Sequence, residues 1–252
     1  MRVSTCLSIA VNALAVYAAV TPSRTTAKRD SAASNFISTS NGNFVVNGSN
    51  FKFIGTNAYW LPYLNSDDDI DRTFANLSAT GIKVLIANGT ATVNTGPNGL
   101  QHLDKVMELA QKHGIYVLWS LTNNWNPVPN TTDSSNSTVA RRNNAPTTPR
   151  NFLSNDYGGM DAYVREFGVA KQHDEFYTNE TIKDLFKNYT KQVVSRFVTH
   201  PSVFSWEIAN DARCNSSVPA SASCNTNTVT AWHSEIADFI KTVDPNHLVS
   251  SG

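Results

Sequence analysis

Short apolar runs alternate along this chain with longer segments whose apolar residues recur every three to four positions. Phe51–Trp60 (FKFIGTNAYW) is a strand-like run ending in aromatics. In Asp67–Thr80, Ile70, Phe74 and Leu77 fall at helical spacing, and Ile82–Ala87 (IKVLIA) is apolar throughout and short enough for a buried strand. Asn98–His113 places Leu100, Leu103, Val106, Met107 and Ala110 on one helix face and stops at Gly114. Ile115–Leu121 (IYVLWSL) is the third strand. A polar stretch follows from Thr122 to about Thr178, and its Pro127–Arg150 part has no period at all; loops this long in compact domains are functional or disordered. Thr181–Thr199 is amphipathic, Val203–Ala209 (VFSWEIA) is the fourth strand, Val229–Val243 is another helix, and Leu248–Ser251 opens a fifth strand.

Strand and helix in strict alternation produce βα units and a parallel sheet, either doubly wound or closed as a barrel. No G-x-G-x-x-G follows the first strand and no G-x-x-x-x-G-K-[ST] loop occurs, so neither dinucleotides nor nucleotide phosphates have their usual cradle. A (β/α)8 barrel takes about 250 residues; this chain supplies four units and the start of a fifth. The expected fold is α/β, an incomplete (β/α)8 TIM barrel with about strands one to five.

The ends of the chain add a compartment. Arg2 followed by the apolar run Cys6–Val20 has the form of a secretory signal peptide over residues 1–20. Residues 21–35, with Lys28-Arg29 as a dibasic site, are then a propeptide or disordered segment, and 36–252 the partial barrel domain. Eight N-x-Ser/Thr sequons, at Asn47, Asn76, Asn88, Asn130, Asn136, Asn179, Asn188 and Asn215, fit a secreted glycoprotein. Removal of Cys6 with the leader leaves Cys214 and Cys224, ten residues apart, which in an oxidising compartment form one disulfide. Two thiols without a neighbouring histidine do not close a zinc site, so no metal or other cofactor is expected. The 20 basic and 20 acidic residues cancel, which gives no pull toward nucleic acid or an anionic membrane and suits a neutral polysaccharide.

Barrel enzymes carry their chemistry at the C-terminal ends of strands. Here those ends hold Asn57, Tyr59 and Trp60, then Asn123, Asn124 and Trp125, then Asn210, Asp211 and Arg213. Flat rings that stack on pyranose faces, beside amides that bind hydroxyls, are the makings of a sugar site. The segments Gly55–Pro62 (GTNAYWLP), Asn94–Gln101 (NTGPNGLQ), Asn123–Trp125, Asp156–Tyr163 (DYGGMDAY), Val194–Arg196, Trp206-Glu207 with Asn210, and Arg213-Cys214 occur in that order. Together they resemble the fungal endo-β-1,4-mannanases of glycoside hydrolase family 5, from about Phe36 to Gly252.

That resemblance implies retaining hydrolysis of β-mannan by two carboxylates, an acid/base after strand four and a nucleophile after strand seven. By position, Asp211 stands for the acid/base glutamate, Asn210 for the residue that binds the sugar 2-hydroxyl, and Arg213 for a holder of the leaving-group sugar. Tyr59, Trp60, Trp125 and Tyr157 are the expected platform or loop contacts. Glu207, four residues before Asp211, is expected to be a buried structural carboxylate. The family pattern W-E-L-G-N-E-P-R-C appears here as Trp206-Glu207-Ile208-Ala209-Asn210-Asp211-Ala212-Arg213-Cys214, with aspartate in the acid position. The arginine-bearing segment after strand two is missing, since Ala87 is followed closely by Val93-Asn94-Thr95, and the strand-seven nucleophile falls outside the 252 residues. The six histidines, His102, His113, His173, His200, His233 and His247, are expected in surface or capping roles.

Overall fold

The computed structural model describes residues 35–58, 60–61, 64, 66–80, 82–88 (backbone), 95–97, 99–125, 154 and 159–252. Tyr59, Tyr157, the leader and propeptide over 1–34, and the sequons at Asn130 and Asn136 lie outside them.

Three short strands come first: β1 (Ser38–Ser40), β2 (Asn43–Val46) and β3 (Ser49–Asn50) pair antiparallel as a small separate sheet. Its tight turns use Asn41-Gly42 and Asn47-Gly48, all four at positive φ, the conformation two-residue hairpin turns require. Then β4 (Ile54–Asn57), α1 (Asp67–Ala79), β5 (Ile82–Asn88), α2 (Leu100–Lys112), β6 (Tyr116–Ser120), α3 (Met160–Phe167), α4 (Glu175–Thr178), α5 (Glu180–Phe197), β7 (Val203–Glu207), α6 (Thr226–Val243) and β8 (Leu248–Ser250) follow. The last five strands form one parallel sheet in sequential order β4-β5-β6-β7-β8. Among the described residues it is an open sheet, with β4 and β8 as its edges, not a closed barrel.

The first parallel strand is shorter than the run Phe51–Trp60 predicts, because Phe51 and Phe53 leave the ladder to pack elsewhere. α3 and α4 lie inside the stretch expected to be an irregular loop. Their period was hidden by length: eight and four residues give barely two turns and one. The two helices that flank β7 start at side-chain caps. Asn179 accepts from Thr181 N and Ile182 N at the head of α5, and Asn225 forms a capping box with Thr228 at the head of α6. Such a cap contributes about 1 kcal/mol.

Two faces of the sheet are separated by residue parity, with one correction. Trp119 of β6 turns to α2, where its indole N–H meets the Met107 sulfur at 3.2 Å. Trp206 of β7 turns to α6, where its N–H donates to Asp244 at 2.8 Å. Without an irregularity Phe204 would share that face. One step along β6, from Val117 to Leu118, is instead matched by two along β7, from Val203 to Ser205. This β-bulge turns Phe204 away from the helices. It packs in a second apolar cluster with Ile37, Phe44, Phe51, Phe53 and Tyr116 at the N-terminal end of the strands. The opposite, inward face therefore changes along the strand axis. Aromatics lie at the bottom, then Ser205, whose hydroxyl donates to Ser250 at 3.1 Å, then Ser120 and Glu207, and the amides lie at the top.

Candidate active site

The top of the sheet is built where β6 and β7 run on past their last ladder pairs. The two strand ends stay parallel: Asn123 and Asn210 form an isolated bridge, Asn210 N–H donates to Thr122 O at 3.0 Å and Asn124 N–H to Asn210 O at 2.9 Å. This brings the two sequence clusters, Asn123–Trp125 and Asn210–Arg213, together on one rim.

Asn123 is buried and its orientation is unambiguous. Its Oδ1 accepts from Trp125 N at 2.6 Å and from Asn210 Nδ2 at 3.3 Å, so its Nδ2 points the other way, buried and without a hydrogen-bond partner among the described residues. Trp125 and Trp60 keep 43 % and 46 % of their surface exposed, which for tryptophan is a large area.

Asp211 has φ 61°, a left-handed conformation that costs a non-glycine residue about 1–2 kcal/mol. Its carboxylate lies 3.6 Å from an Arg213 guanidinium nitrogen, both side chains being more than a third exposed, so the pair is loose and screened. Four residues earlier, Glu207 sits one layer deeper. It is buried, accepts a hydrogen bond from the Ser120 hydroxyl, and has its carboxyl pushed up by burial and by the nearby charge of Asp211.

Below the Asp211 loop lies a polar cluster that the sequence did not announce. Asp161, wholly buried, accepts from His173 Nδ1 at 2.6 Å, Ser154 Oγ at 3.0 Å, Ser217 Oγ at 2.6 Å, Ser216 Oγ and Val218 N at 3.3 Å. Burial alone would raise its carboxyl, but the hydrogen bonds from His173, Ser216 and Ser217 outweigh burial and hold it below the usual value. His173 Nε2 lies 3.0 Å from Arg213 O and 3.2 Å from the Tyr177 hydroxyl. That hydroxyl accepts from Arg213 N at 3.1 Å and donates to Arg213 O at 2.9 Å.

The expected surface role of the histidines is therefore wrong for two of the six. His173 and His247 are buried, each against an aspartate at 2.6 Å, because burial of an imidazole is tolerated once both ring nitrogens find partners. The signal available in the sequence was thin: a tyrosine four residues after His173, and an aspartate inside the DYGGMDAY segment. Cys214 and Cys224 are joined as a disulfide with Cα atoms 5.9 Å apart, so the same loop is also tied covalently to the residue before the α6 cap. Among the described residues no group of histidine, cysteine, aspartate and glutamate could hold a metal ion.

The rim thus offers one half-exposed carboxylate, a guanidinium, a pair of coupled amides and two half-exposed indoles. Such a set can donate a proton to an oxygen and can bind hydroxyls and pyranose rings. The comparisons with known proteins agree with this chemistry. A family model described as glycoside hydrolase family 5, β-mannosidase-like, matches residues 34–252. The mannan endo-1,4-β-mannosidase F of Aspergillus clavatus is 34% identical over 240 residues, 86% of this chain and 46% of the relative. Mannan endo-1,4-β-mannosidase A of Aspergillus aculeatus is 34% identical over 248 residues, 90% of this chain and 56% of its own length. Among solved structures, the endo-1,4-β-mannanase of Rhizomucor miehei superposes with a TM-score of 0.70 at 32% identity, over 86% of this chain and 60% of that one. The chain spans about half the length of the curated relatives it matches. Over that half, rim chemistry, strand order and sequence all lead to one conclusion: the chain belongs to glycoside hydrolase family 5, among the endo-1,4-β-mannanases.

Proposed function

We propose that this chain is the β-mannan-binding, acid-bearing part of a secreted endo-β-1,4-mannanase. The observation that carries the reading is the joined rim: Asn210, Asp211 and Arg213 follow β7 directly, with Asn123 hydrogen-bonded to Asn210 and the half-exposed indole of Trp125 beside it. In this reading Asp211 gives its proton to the glycosidic oxygen, Asn210 binds a sugar hydroxyl, and Arg213 holds the sugar on the leaving-group side. Trp60 and Trp125, with Tyr59 and Tyr157, stack on mannose rings. Retaining hydrolysis needs a second carboxylate that attacks the anomeric carbon. Glu207 does not meet that need, since it is buried below the rim and engaged by Ser120. By the resemblance, the attacking group is the glutamate expected after barrel strand seven, whereas the described parallel sheet has five strands.

The disulfide and the apolar leader support export, with residues 1–20 removed as a signal, 21–35 as a propeptide or disordered segment, and 36–252 as the catalytic-type domain. Purified 252-residue protein is expected to bind mannotetraose, with quenching of tryptophan fluorescence, and to release no reducing sugar from mannan above background. Asp211-dependent release of sugar would overturn the assignment of the nucleophile, and absence of binding would overturn the sugar site. A second reading, binding without turnover, is favoured by one observation: the aspartate side chain at position 211 is one methylene shorter than the family's glutamate. A chain completed with the remaining barrel strands separates the two: the hydrolytic reading expects Asp211-dependent release of reducing sugar, raised further by Asp211→Glu, on the order of a hundredfold for a displacement of about 1 Å, whereas binding without turnover expects release only in the Asp211→Glu variant.

A further inference from the structure

The side chain of Asp211 has little to hold it: a loose pair with Arg213, both partly exposed. Its backbone nevertheless keeps a left-handed conformation. The restraint comes from underneath. Asn124, wholly buried, points its Nδ2 at three alternate carbonyls of the loop, Asp211 O at 3.3 Å, Arg213 O at 3.5 Å and Asn215 O at 3.2 Å. Its Oδ1 lies 2.6 Å from Ser216 Oγ, whose one proton is shared with Asp161, and the three carbonyls around Nδ2 fix the amide with its donors toward them. Tyr177 takes both polar groups of the Arg213 backbone, and Asp161 gathers the two serines and the amide that follow.

We propose that Asn124, Asp161, His173 and Tyr177 are positioning residues that fix the Asn210–Val218 loop from beneath, and so set where the Asp211 carboxylate and the Arg213 guanidinium stand. The backbone clamp stands on geometry alone; its meaning for sugar recognition rests on the function proposed above. None of the four need touch substrate. Their effect is to make the loop a rigid mount, because the buried Asn124 amide reaches the carbonyls of Asp211, Arg213 and Asn215, and Arg213 O meets three of the four side chains at once.

Two conservative variants of the full chain test this. Asn124→Asp keeps the shape of the side chain but replaces the donor with an acceptor that faces three carbonyls. Tyr177→Phe keeps the ring and removes the hydroxyl. In hydrogen-exchange mass spectrometry at a temperature well below melting, peptides covering Asn210–Val218 are expected to exchange at least about tenfold faster in both variants, while β6 and β7 keep their wild-type rates. Mannotetraose, followed by tryptophan fluorescence, is expected to bind about fivefold more weakly. A role in packing alone would leave Asn124→Asp with wild-type loop exchange, since the volume is unchanged; that result overturns the proposal. Faster exchange spread evenly over the sheet and the loop overturns it too. If Asn124→Asp does not fold, Tyr177→Phe decides by the same criteria. If wild-type protein binds no mannotetraose, the functional reading fails, and the exchange pattern still decides whether the clamp exists.

Discussion

The two ends of the parallel sheet each contain a buried aspartate–histidine pair, and they use it differently. At the bottom, Asp244 accepts from His247 and from the Trp206 indole, and His247 Nε2 reaches His200 O at 3.0 Å. Everything there is framework: a helix end, a strand and an aromatic cluster. At the top, Asp161 and His173 spend the same hydrogen-bonding capacity on a loop, and that loop carries the exposed acid and cation. The electrostatics match as well. In both aspartates burial pushes the carboxyl up and hydrogen bonds from histidine and other donors bring it below its usual value. The same buried pair is a structural staple where its neighbours are aromatic and a mount for chemistry where its neighbours are a loop backbone.

The comparison is first sharpened by deleting the aromatic floor. Phe204→Ala is expected to lower stability by about 3–5 kcal/mol, the range for an emptied buried phenylalanine site, with mannotetraose affinity unchanged in the protein that remains folded. Chemical denaturation and fluorescence titration read the two quantities. Next come Asp161→Asn and Asp244→Asn, each expected to cost about 3 kcal/mol for a broken buried pair. Only the first should also weaken sugar binding; equal effects on binding would erase the distinction between the ends. Both aspartates have folded values below the unfolded value near 3.8, so their contribution is complete above that pH and is lost as pH falls through the folded values. Unfolding followed from pH 5 to pH 2 should show this loss, flattened in either variant.

Glu207 has the opposite sign. Its folded value is raised above 4.5, so the folded state is favoured by its protonated form, and ionisation costs stability as pH rises through the raised value. Glu207→Gln should match wild type near pH 4 and exceed it modestly at pH 7 in a melting experiment. The smallest change in stability is expected for Trp125→Ala, within about 0.5 kcal/mol for an exposed side chain. Its mannotetraose affinity should nonetheless fall about tenfold, or about 1.4 kcal/mol.

Much of this arrangement was legible in the chain. The order of the five parallel strands, the long helices between them and the disulfide follow from apolar period, turn residues and the cysteine pair, because each is a local pattern; α3 and α4 were too short to show one. Asn210, Arg213 and Trp125 were legible as site candidates from their places after strand runs. The positioning set was not. Asp161 and His173 are twelve residues apart and separated by a turn, Asn124 meets the Asp211 loop 87 residues later, and nothing local marks such pairs. The bulge at Phe204 was equally hidden, since two adjacent apolar residues, Val203 and Phe204, are ordinary in a buried strand and only the partner strand reveals the extra residue.

The aromatic floor also has a consequence in time. Phe51 and Phe53 leave the ribosome early, but the ring against which they close, Phe204, is about 150 residues behind them. At a synthesis rate of about 5–20 residues per second, that is roughly 8–30 s during which these two phenylalanines have no lasting cover. The hairpin can form within that interval from its own turns; its anchoring cannot. The bottom of the sheet is thus among the first parts of the fold to be made and among the last to be finished.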